Sequence, residues 1–232
     1  MTRRGEPELR ELAAQGARDL EGATATEAIS WAARHFPTTL AVTCSMADGT
    51  LPSMVAEALP GVDVLFIDTG YHFTDTLVTR DLAAADLNVN VVTVKPVLTV
   101  AQQDAAYGER LWQRDPSACC RMRKVEPLRA ALRGYEAWVT GVRRAESPSR
   151  ANTPMISWDE KFGLVKVNPL VDWSFDETLA YASARGLPVN LLLSDGYPSI
   201  GCQPCTRRVA EGEDARAGRW AGFAKTECGL HA

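Results

Sequence analysis

The 232-residue chain lacks the features that would place it in a membrane or on a secretory route. It contains no run of about 18 apolar residues, which is the length that a helix needs to cross a bilayer. Its first residues, MTRRGEPELRELAAQG, include no apolar segment of the length found in signal peptides. We therefore expect a cytoplasmic protein with no membrane partner.

The chain also lacks an excess of basic residues. It carries 25 Lys and Arg against 29 Asp and Glu, for a net charge of −4. Proteins that bind nucleic acid in general usually show a basic excess, so we expect no nucleic-acid partner. Basic residues are concentrated locally instead, where they suit a small anion. These local clusters are RMRK (121–124), RR (143–144), Arg150, RR (207–208), Arg216 and Arg219.

The cysteines lack the paired Cys-x-x-Cys spacing that usually holds a structural zinc ion. Cys202 and Cys205 have this spacing, but Cys119 and Cys120 are adjacent. Adjacent side chains diverge, so they converge poorly on one small ion, whereas a cubane iron–sulfur cluster presents four separate corners. Structural disulfides are not expected in the cytoplasm. The pattern favours an iron–sulfur cluster, and the alternative is that Cys119 and Cys120 are buried apolar thiols.

Strand-like and helical segments alternate along the chain, which favours an α/β fold with a mostly parallel sheet and helices on both faces. Short runs that predict strands lie at 38–44, 62–67, 88–94, 137–141 and within 161–170. Ser174 and Glu177 form a predicted capping box at the start of a helix over 174–186. We expect one domain over 1–232, with N-terminal helices at about 1–36, a core at about 37–205 and a mobile tail at about 206–232.

Two loops at the predicted strand ends are suited to a nucleotide. CSMADGT follows the first strand and FIDTG ends the second. The carboxyl ends of parallel strands are where α/β sheets bind phosphate, so Ser45 could contact a phosphate, and Asp68 and Thr69 a ribose or base. The first loop lacks the GxxxxGK[ST] pattern, so an ordinary turn is an equal interpretation.

A sixth cysteine, Cys228, lies four residues from the end of the chain, in KTECGLHA. Lys225 and His231 favour its thiolate, whereas Glu227 disfavours it. An exposed thiol on a flexible segment is either a spectator or a reactive group.

Six stretches together resemble the assimilatory adenylylsulfate (APS) reductases, within the wider APS/PAPS reductase group. They are FIDTGYHFTDT, DPSACCRMRKVEPL, TGVRRAESPSR, GCQPCTRRV, EGEDARAGRW and KTECGLH. The resemblance implies a Rossmann-like adenine nucleotide α-hydrolase fold. It also implies the reduction of APS to sulfite and AMP in sulfate assimilation, by way of an S-sulfo-cysteine. Thioredoxin or glutaredoxin would donate the electrons, and we expect a homo-oligomer.

The resemblance also assigns roles to individual residues. Cys228 corresponds to the nucleophile, and Lys124 to a lysine between a cluster and the substrate. The expected ligands of one 4Fe–4S cluster are Cys119, Cys120, Cys202 and Cys205. The expected substrate contacts are Arg216, Arg219 and His231 at the sulfate, Arg144 and Arg150 near the nucleotide, and Ser45, Asp48, Asp68 and Thr69 in the nucleotide loops.

Three alternatives stay open at this point. A PAPS reductase would differ only by a 3′-phosphate on its substrate. A cluster-containing tRNA thiolation enzyme should show an SGGxDS loop and a basic surface, which CSMADG and the net charge of −4 do not provide. A zinc-stabilised binding module would have no catalytic role. Because no second Cys-x-x-Cys motif is available for redox work, we expect electrons to arrive from another protein, and we favour a structural and electrostatic role for the cluster.

Overall fold

In the computed structural model, which describes residues 3–230, the strands of this part of the chain form one six-stranded sheet in the order β3-β2-β1-β4-β6-β5. The strands are β1 (Leu40–Thr43), β2 (Val62–Ile67), β3 (Val89–Val94), β4 (Ala137–Thr140), β5 (Ile156–Asp159) and β6 (Leu164–Val167). Every neighbouring pair is parallel except β5 and β6, which are antiparallel. The predicted mostly parallel α/β sheet is confirmed.

Strand β5 is the element that the sequence analysis missed. It follows a polar loop and has only four residues, ISWD, which are too few to show a clear alternation. It exists because it pairs with β6 at the edge of the sheet, with Ile156 opposite Val167 and Trp158 opposite Val165. A tertiary contact therefore determines this strand.

The helices lie where the sequence predicts them. They are α1 (Glu6–Asp19), α2 (Ala25–His35), α3 (Thr50–Ala58), α4 (Thr74–Asp86), α5 (Val100–Tyr107), α6 (Leu111–Arg114), α7 (Pro116–Cys120), α8 (Glu126–Ala131) and α9 (Phe175–Ala184). The capping box at the start of α9 is present, because the Ser174 hydroxyl accepts a hydrogen bond from the Glu177 amide at 3.1 Å. No helix within residues 3–230 has the length and apolar character needed to cross a membrane.

The core has two parts, one on each face of the sheet. Successive side chains of a strand point to opposite faces, so Val42 and Val64 join the larger cluster with α1 and α2, whereas Ala41 and Leu65 join the smaller one. The smaller cluster contains Leu128 of α8 and is completed by Leu230, close to the end of the chain.

Strand β1 occupies the topological switch point of the sheet. Its neighbours are β2 on one side and β4 on the other, so the chain leaves β1 towards one edge and later returns to its opposite side. In open α/β sheets a crevice forms at such a point, outside the carboxyl ends of the strands.

Candidate active site and adjoining thiol cluster

A cavity of about 240 Å³ lies at this crevice. Thr43 and Cys44 from the end of β1, Ile67 from β2, and Gly141 and Val142 after β4 line it. The predicted site residues that also line it are Ser45, Asp48, Thr69, Lys124, Arg150, Cys202, Arg216, Arg219 and Cys228. Residues separated by more than 180 positions in the sequence therefore share one cavity.

Two predicted substrate contacts within residues 3–230, Asp68 and Arg144, are not in this lining. The carboxylate of Asp68 accepts the Gly70 amide at 3.0 Å and so closes a local turn. Arg144 donates to the Thr153 carbonyl at 3.0 Å and pairs with Asp172 at the surface. His231 lies outside the described residues.

The loop after β1 is held in shape by its own polar groups. Asp48 accepts the Thr50 amide at 2.9 Å at the start of α3, and the Cys44 sulfur accepts the Met46 amide at 3.4 Å. Burial raises the pKa of the Cys44 thiol to about 12, so this thiol stays protonated at neutral pH. Cys44 is therefore a structural part of the cavity wall.

The four cysteines predicted as cluster ligands line a second, smaller cavity together. All four are free thiols. Burial raises the pKa of Cys119 to about 12 and that of Cys205 to about 11, and the charges of the neighbouring thiolates add to both shifts. No group of three His, Cys, Asp or Glu side chains among residues 3–230 is placed to hold a metal ion.

The adjacent thiols end α7, and the chain continues from them into a π-helical turn, Arg121–Val125. Such wide turns are frequent at functional sites. The turn sends its basic residues in different directions: Arg121 is exposed and pairs with Glu126 at 3.4 Å, whereas Lys124 lines both cavities. Lys124 is thus the basic residue of this turn that lies between the thiols and the main cavity.

Arg123 is a buried cation that the sequence analysis took as part of a charged run. Its Nε donates to the Thr69 carbonyl at 2.5 Å, and its Nη1 donates to the Gln103 side-chain oxygen at 3.0 Å. These contacts attach the π-turn to the loop after β2. No local signal in RMRK separates Arg123 from its exposed neighbour Arg121.

Lys124, Cys202 and Trp220 form a wall that the two cavities share. Burial by itself would lower the pKa of Lys124, but neighbouring thiolates, Cys202 and Cys228 foremost, raise it above its ordinary value. The Cys202 sulfur also lies 3.3 Å from the Thr69 hydroxyl. A cation on the shared wall, beside the sulfur of Cys202, is suited to stabilising negative charge in the main cavity.

Arg219 enters the main cavity next to this wall. Its Nη1 donates to the Ser199 hydroxyl at 3.1 Å and to the Ile200 carbonyl at 3.2 Å, and its guanidinium packs on the Trp220 ring at 4.6 Å. Gly201 allows this approach, because a Cβ there would clash with the guanidinium. All of these partners are neutral, so the charge of Arg219 is available to an anion.

The C-terminal segment is seated across the cavity. Cys228 and Leu230 line it, and Leu230 also packs against the smaller core cluster. Lys161 donates to the Gly229 carbonyl, and the Glu227 carboxylate pairs with Arg150 at 2.8 Å. The sequence analysis missed this part played by Glu227, since nothing local links it to an arginine 77 positions away.

Comparisons with known proteins agree with this geometry. The model of the phosphoadenosine phosphosulfate reductase domain matches residues 38–208. An adenosine 5'-phosphosulfate reductase of Streptomyces coelicolor is 56% identical over 97% of this chain and 95% of its own length. One of Mycolicibacterium smegmatis is 54% identical over 97% of this chain and 96% of its own length.

A solved structure points the same way. The phosphoadenylyl-sulfate (PAPS) reductase of Candida auris superimposes with a TM-score of 0.69 at 30% identity, covering 86% of this chain and 97% of its own. The resemblance read from the sequence is confirmed, and this chain belongs to the phosphoadenosine phosphosulfate reductase family.

Proposed function

We propose that this protein is an oxidoreductase of sulfate assimilation that reduces APS to sulfite and AMP. The relatives that share 54–56% of its residues are named adenosine 5'-phosphosulfate reductases. The observation that carries the proposal is the meeting of Cys228, Lys124 and Arg219 in one cavity at the switch point of an α/β sheet. This is the arrangement that a thiol needs to attack an anionic sulfur.

Two cations prepare the substrate for attack. APS carries negative charge on both its phosphate and its sulfate, and a thiolate approaching that sulfur meets electrostatic repulsion. Lys124 and Arg219 would neutralise the sulfate oxygens, and Arg216 also lines this cavity. The loop after β1, with Ser45 and Asp48, is placed for the nucleotide.

The first chemical step is attack by the Cys228 thiolate on the sulfate sulfur. A new S–S bond forms, the bond from sulfur to the bridging oxygen breaks, and AMP leaves with that electron pair. Cys228 is then an S-sulfo-cysteine. Lys124 and Arg219 stabilise the negative charge on the sulfonate oxygens while the group is transferred to Cys228.

The second step needs a protein dithiol, which we propose to be thioredoxin or glutaredoxin. One of its thiolates attacks the Cys228 sulfur, and sulfite leaves with the electron pair of the S–S bond. The second thiol of the donor then attacks the mixed disulfide and releases Cys228. The donor ends as a disulfide, so two electrons have passed from it to sulfur.

No three of the described side chains are placed around one metal ion, but the four thiols that line the smaller cavity are the ligand type that a wider 4Fe–4S cluster takes, and we propose Cys119, Cys120, Cys202 and Cys205 as its ligands. The turn Gln203–Cys205, in which the Cys205 amide donates to the Cys202 carbonyl at 2.9 Å, brings the second pair together. When bound, the cluster would supply a cysteine-held anionic centre that keeps Lys124 charged.

The decisive experiment is a reaction with APS and no reductant. One equivalent of AMP should form, and the tail peptide that contains Cys228 should gain the mass of one sulfonate group. Added thioredoxin should then release sulfite and restore the mass. Cys228→Ser should bind APS without turnover, because a hydroxyl is a far weaker nucleophile than a thiolate.

The same assay separates the nearest alternative. A PAPS reductase would form the adduct faster with PAPS than with APS. An adduct on Cys44, or sulfite production by Cys228→Ser, would contradict the assignment of Cys228.

A further inference from the structure

The Glu227 carboxylate ties the C-terminal segment to Arg150, which lies 77 positions earlier in the chain. Its two oxygens accept from Nε and Nη2 of Arg150, each at 2.8 Å, so the pair is bidentate. Arg150 is buried and Glu227 is partly buried, with 9% and 11% of their side-chain surface exposed. Bidentate pairs between arginine and carboxylate fix geometry as well as energy.

All three nitrogens of the Arg150 guanidinium donate to carboxylates in this arrangement. Its Nε and Nη2 donate to Glu227, and its Nη1 donates to Glu146. Arg216 supports the contact from the other side, at 3.3 Å from Glu227, and also donates to the Thr226 carbonyl at 2.9 Å. Three of the five N–H groups of Arg150 are therefore committed to carboxylates while the segment is seated.

Glu227 is also next to the proposed nucleophile in the chain. Its anchoring fixes the backbone immediately before Cys228, and the contacts of Gly229 and Leu230 fix the backbone immediately after it. The main cavity keeps a volume of about 240 Å³ beneath the seated segment. Lys124 and Arg219 remain available to an anion in that cavity.

We propose that Arg150 and Glu227 are positioning residues that form a latch, which seats the C-terminal segment so that Cys228 faces the substrate cavity. This inference rests on the proposed function for the role of Cys228. It is an alternative to the expected contact of Arg150 with the nucleotide. The latch must also open, since Cys228 has to reach a protein dithiol after its reaction with the substrate.

The first test measures how readily Cys228 is alkylated in ligand-free, anaerobically purified protein. Iodoacetamide is the probe, and the Cys228 peptide is followed by mass spectrometry. Glu227→Gln keeps the shape but loses the charge, and it replaces one of the two acceptor oxygens that face the guanidinium with an NH2 donor. Loss of a charge-assisted contact should speed alkylation about 10- to 150-fold. Glu227→Asp should recover part of the protection.

Glu160→Gln is the matched control. Glu160 makes a bidentate pair with Arg10, at 2.5 and 2.6 Å, on the exposed surface and outside the cavity lining. Its loss should leave the alkylation of Cys228 unchanged. Equal acceleration in both variants would overturn the latch, because it would show a general loosening of the fold.

A double-mutant cycle tests whether the two residues act through each other. Arg150→Gln should accelerate alkylation as much as Glu227→Gln, and the double variant should add nothing further. Both should slow the formation of the S-sulfo adduct in a single turnover, with AMP affinity unchanged. Additive effects on alkylation would overturn the proposal.

A role of Arg150 in substrate binding predicts a different result. AMP affinity would then fall in Arg150→Gln while the alkylation of Cys228 stayed as in the parent protein, and this outcome would overturn the latch. If the parent protein forms no S-sulfo adduct with APS, the proposed function fails instead. The alkylation rates would still decide whether the latch exists.

Discussion

Two groups of basic residues line the same cavity and differ in what balances their charge. In the first group, the paired arginines, Arg143 is 3.0 Å from Glu146, and Arg150 and Arg216 contact Glu227. In the second group, the unpaired cations Lys124 and Arg219, no ion pair with a carboxylate is found among residues 3–230. An incoming anion would therefore meet positive charge already balanced by carboxylates in the first group, and unbalanced positive charge in the second.

The difference shows that the basic residues that line one cavity are not equally free to bind an anion. A partly buried cation without a carboxylate partner is incompletely compensated, so it gains when an anion arrives. An arginine that already holds a carboxylate has its charge balanced, which suits it to positioning structure. We therefore propose that substrate binding falls mainly to Lys124 and Arg219, and the seating of the tail to Arg150.

The largest expected effect comes from Cys202→Ser, because this residue stands in the wall beside Lys124. The variant should lose iron and turnover together, since a serine hydroxyl does not replace a thiolate ligand. Iron analysis and the visible spectrum of anaerobically purified protein measure this. Cys44→Ser is the control and should keep its iron. Full iron retention in Cys202→Ser would remove this residue from the ligand set.

A smaller effect separates the two groups directly. Lys124→Met and Arg219→Ala should each weaken APS binding about 10- to 150-fold, because each loses a charge-assisted contact of roughly 1.5–3 kcal/mol. Arg143→Gln should weaken it less, since Glu146 already balances that charge. Calorimetry in a Cys228→Ser background measures binding without turnover, after iron content has been matched. Equal losses in all three variants would remove the distinction between the groups.

The smallest effect concerns pH and the paired arginines. Burial by itself would raise the pKa of Glu227, but its contacts with Arg150 and Arg216 lower it below the ordinary carboxyl value. A lowered pKa in the folded state stabilises the protein above the ordinary carboxyl pKa, and this contribution is lost as the pH falls through the lowered value. The further charged groups that act on this network include Glu146, which pairs with both Arg150 and Arg143, as well as Arg219 and Lys166.

Urea unfolding of the parent protein and of Glu227→Gln checks the sign of this effect. At neutral pH the parent should be more stable by about 1.5–3 kcal/mol. The difference should shrink on acidification, when the carboxylate takes up its proton. A difference that grows as the pH falls would contradict the ionic contact.

Local patterns in the sequence carried much of the fold. Five of the six strands in the described part of the chain were predicted from short apolar runs. Such runs are visible in the sequence because they involve only residues that are neighbours along the chain. The capping box of Ser174 and Glu177 is likewise a contact over three residues. Strand β5 was missed because it depends on pairing with β6, and no pattern within ISWD reveals that partner.

The sequence predicted which residues belong to the candidate site, but not how they contact one another. The cysteine spacings and the resemblance named residues that line the two cavities, but they could not separate paired from unpaired cations. Arg144 and Asp68 lie next to site residues in the sequence, yet they turn towards Asp172 and Gly70. Glu227 was taken only as a neighbour unfavourable to a thiolate, because its arginine partner is distant in the sequence.

The shared wall has a consequence for how this protein can evolve. Trp220 has a left-handed backbone with φ of 48°, is 3% exposed and touches both cavities, as do Lys124 and Cys202. A substitution at any of the three must satisfy two sets of neighbours at once. Drift in the substrate cavity is therefore constrained by the thiol cavity behind it, and neither can be remodelled alone. A lineage that gave up its four cysteines would have to rebuild the floor of its substrate site in the same series of changes.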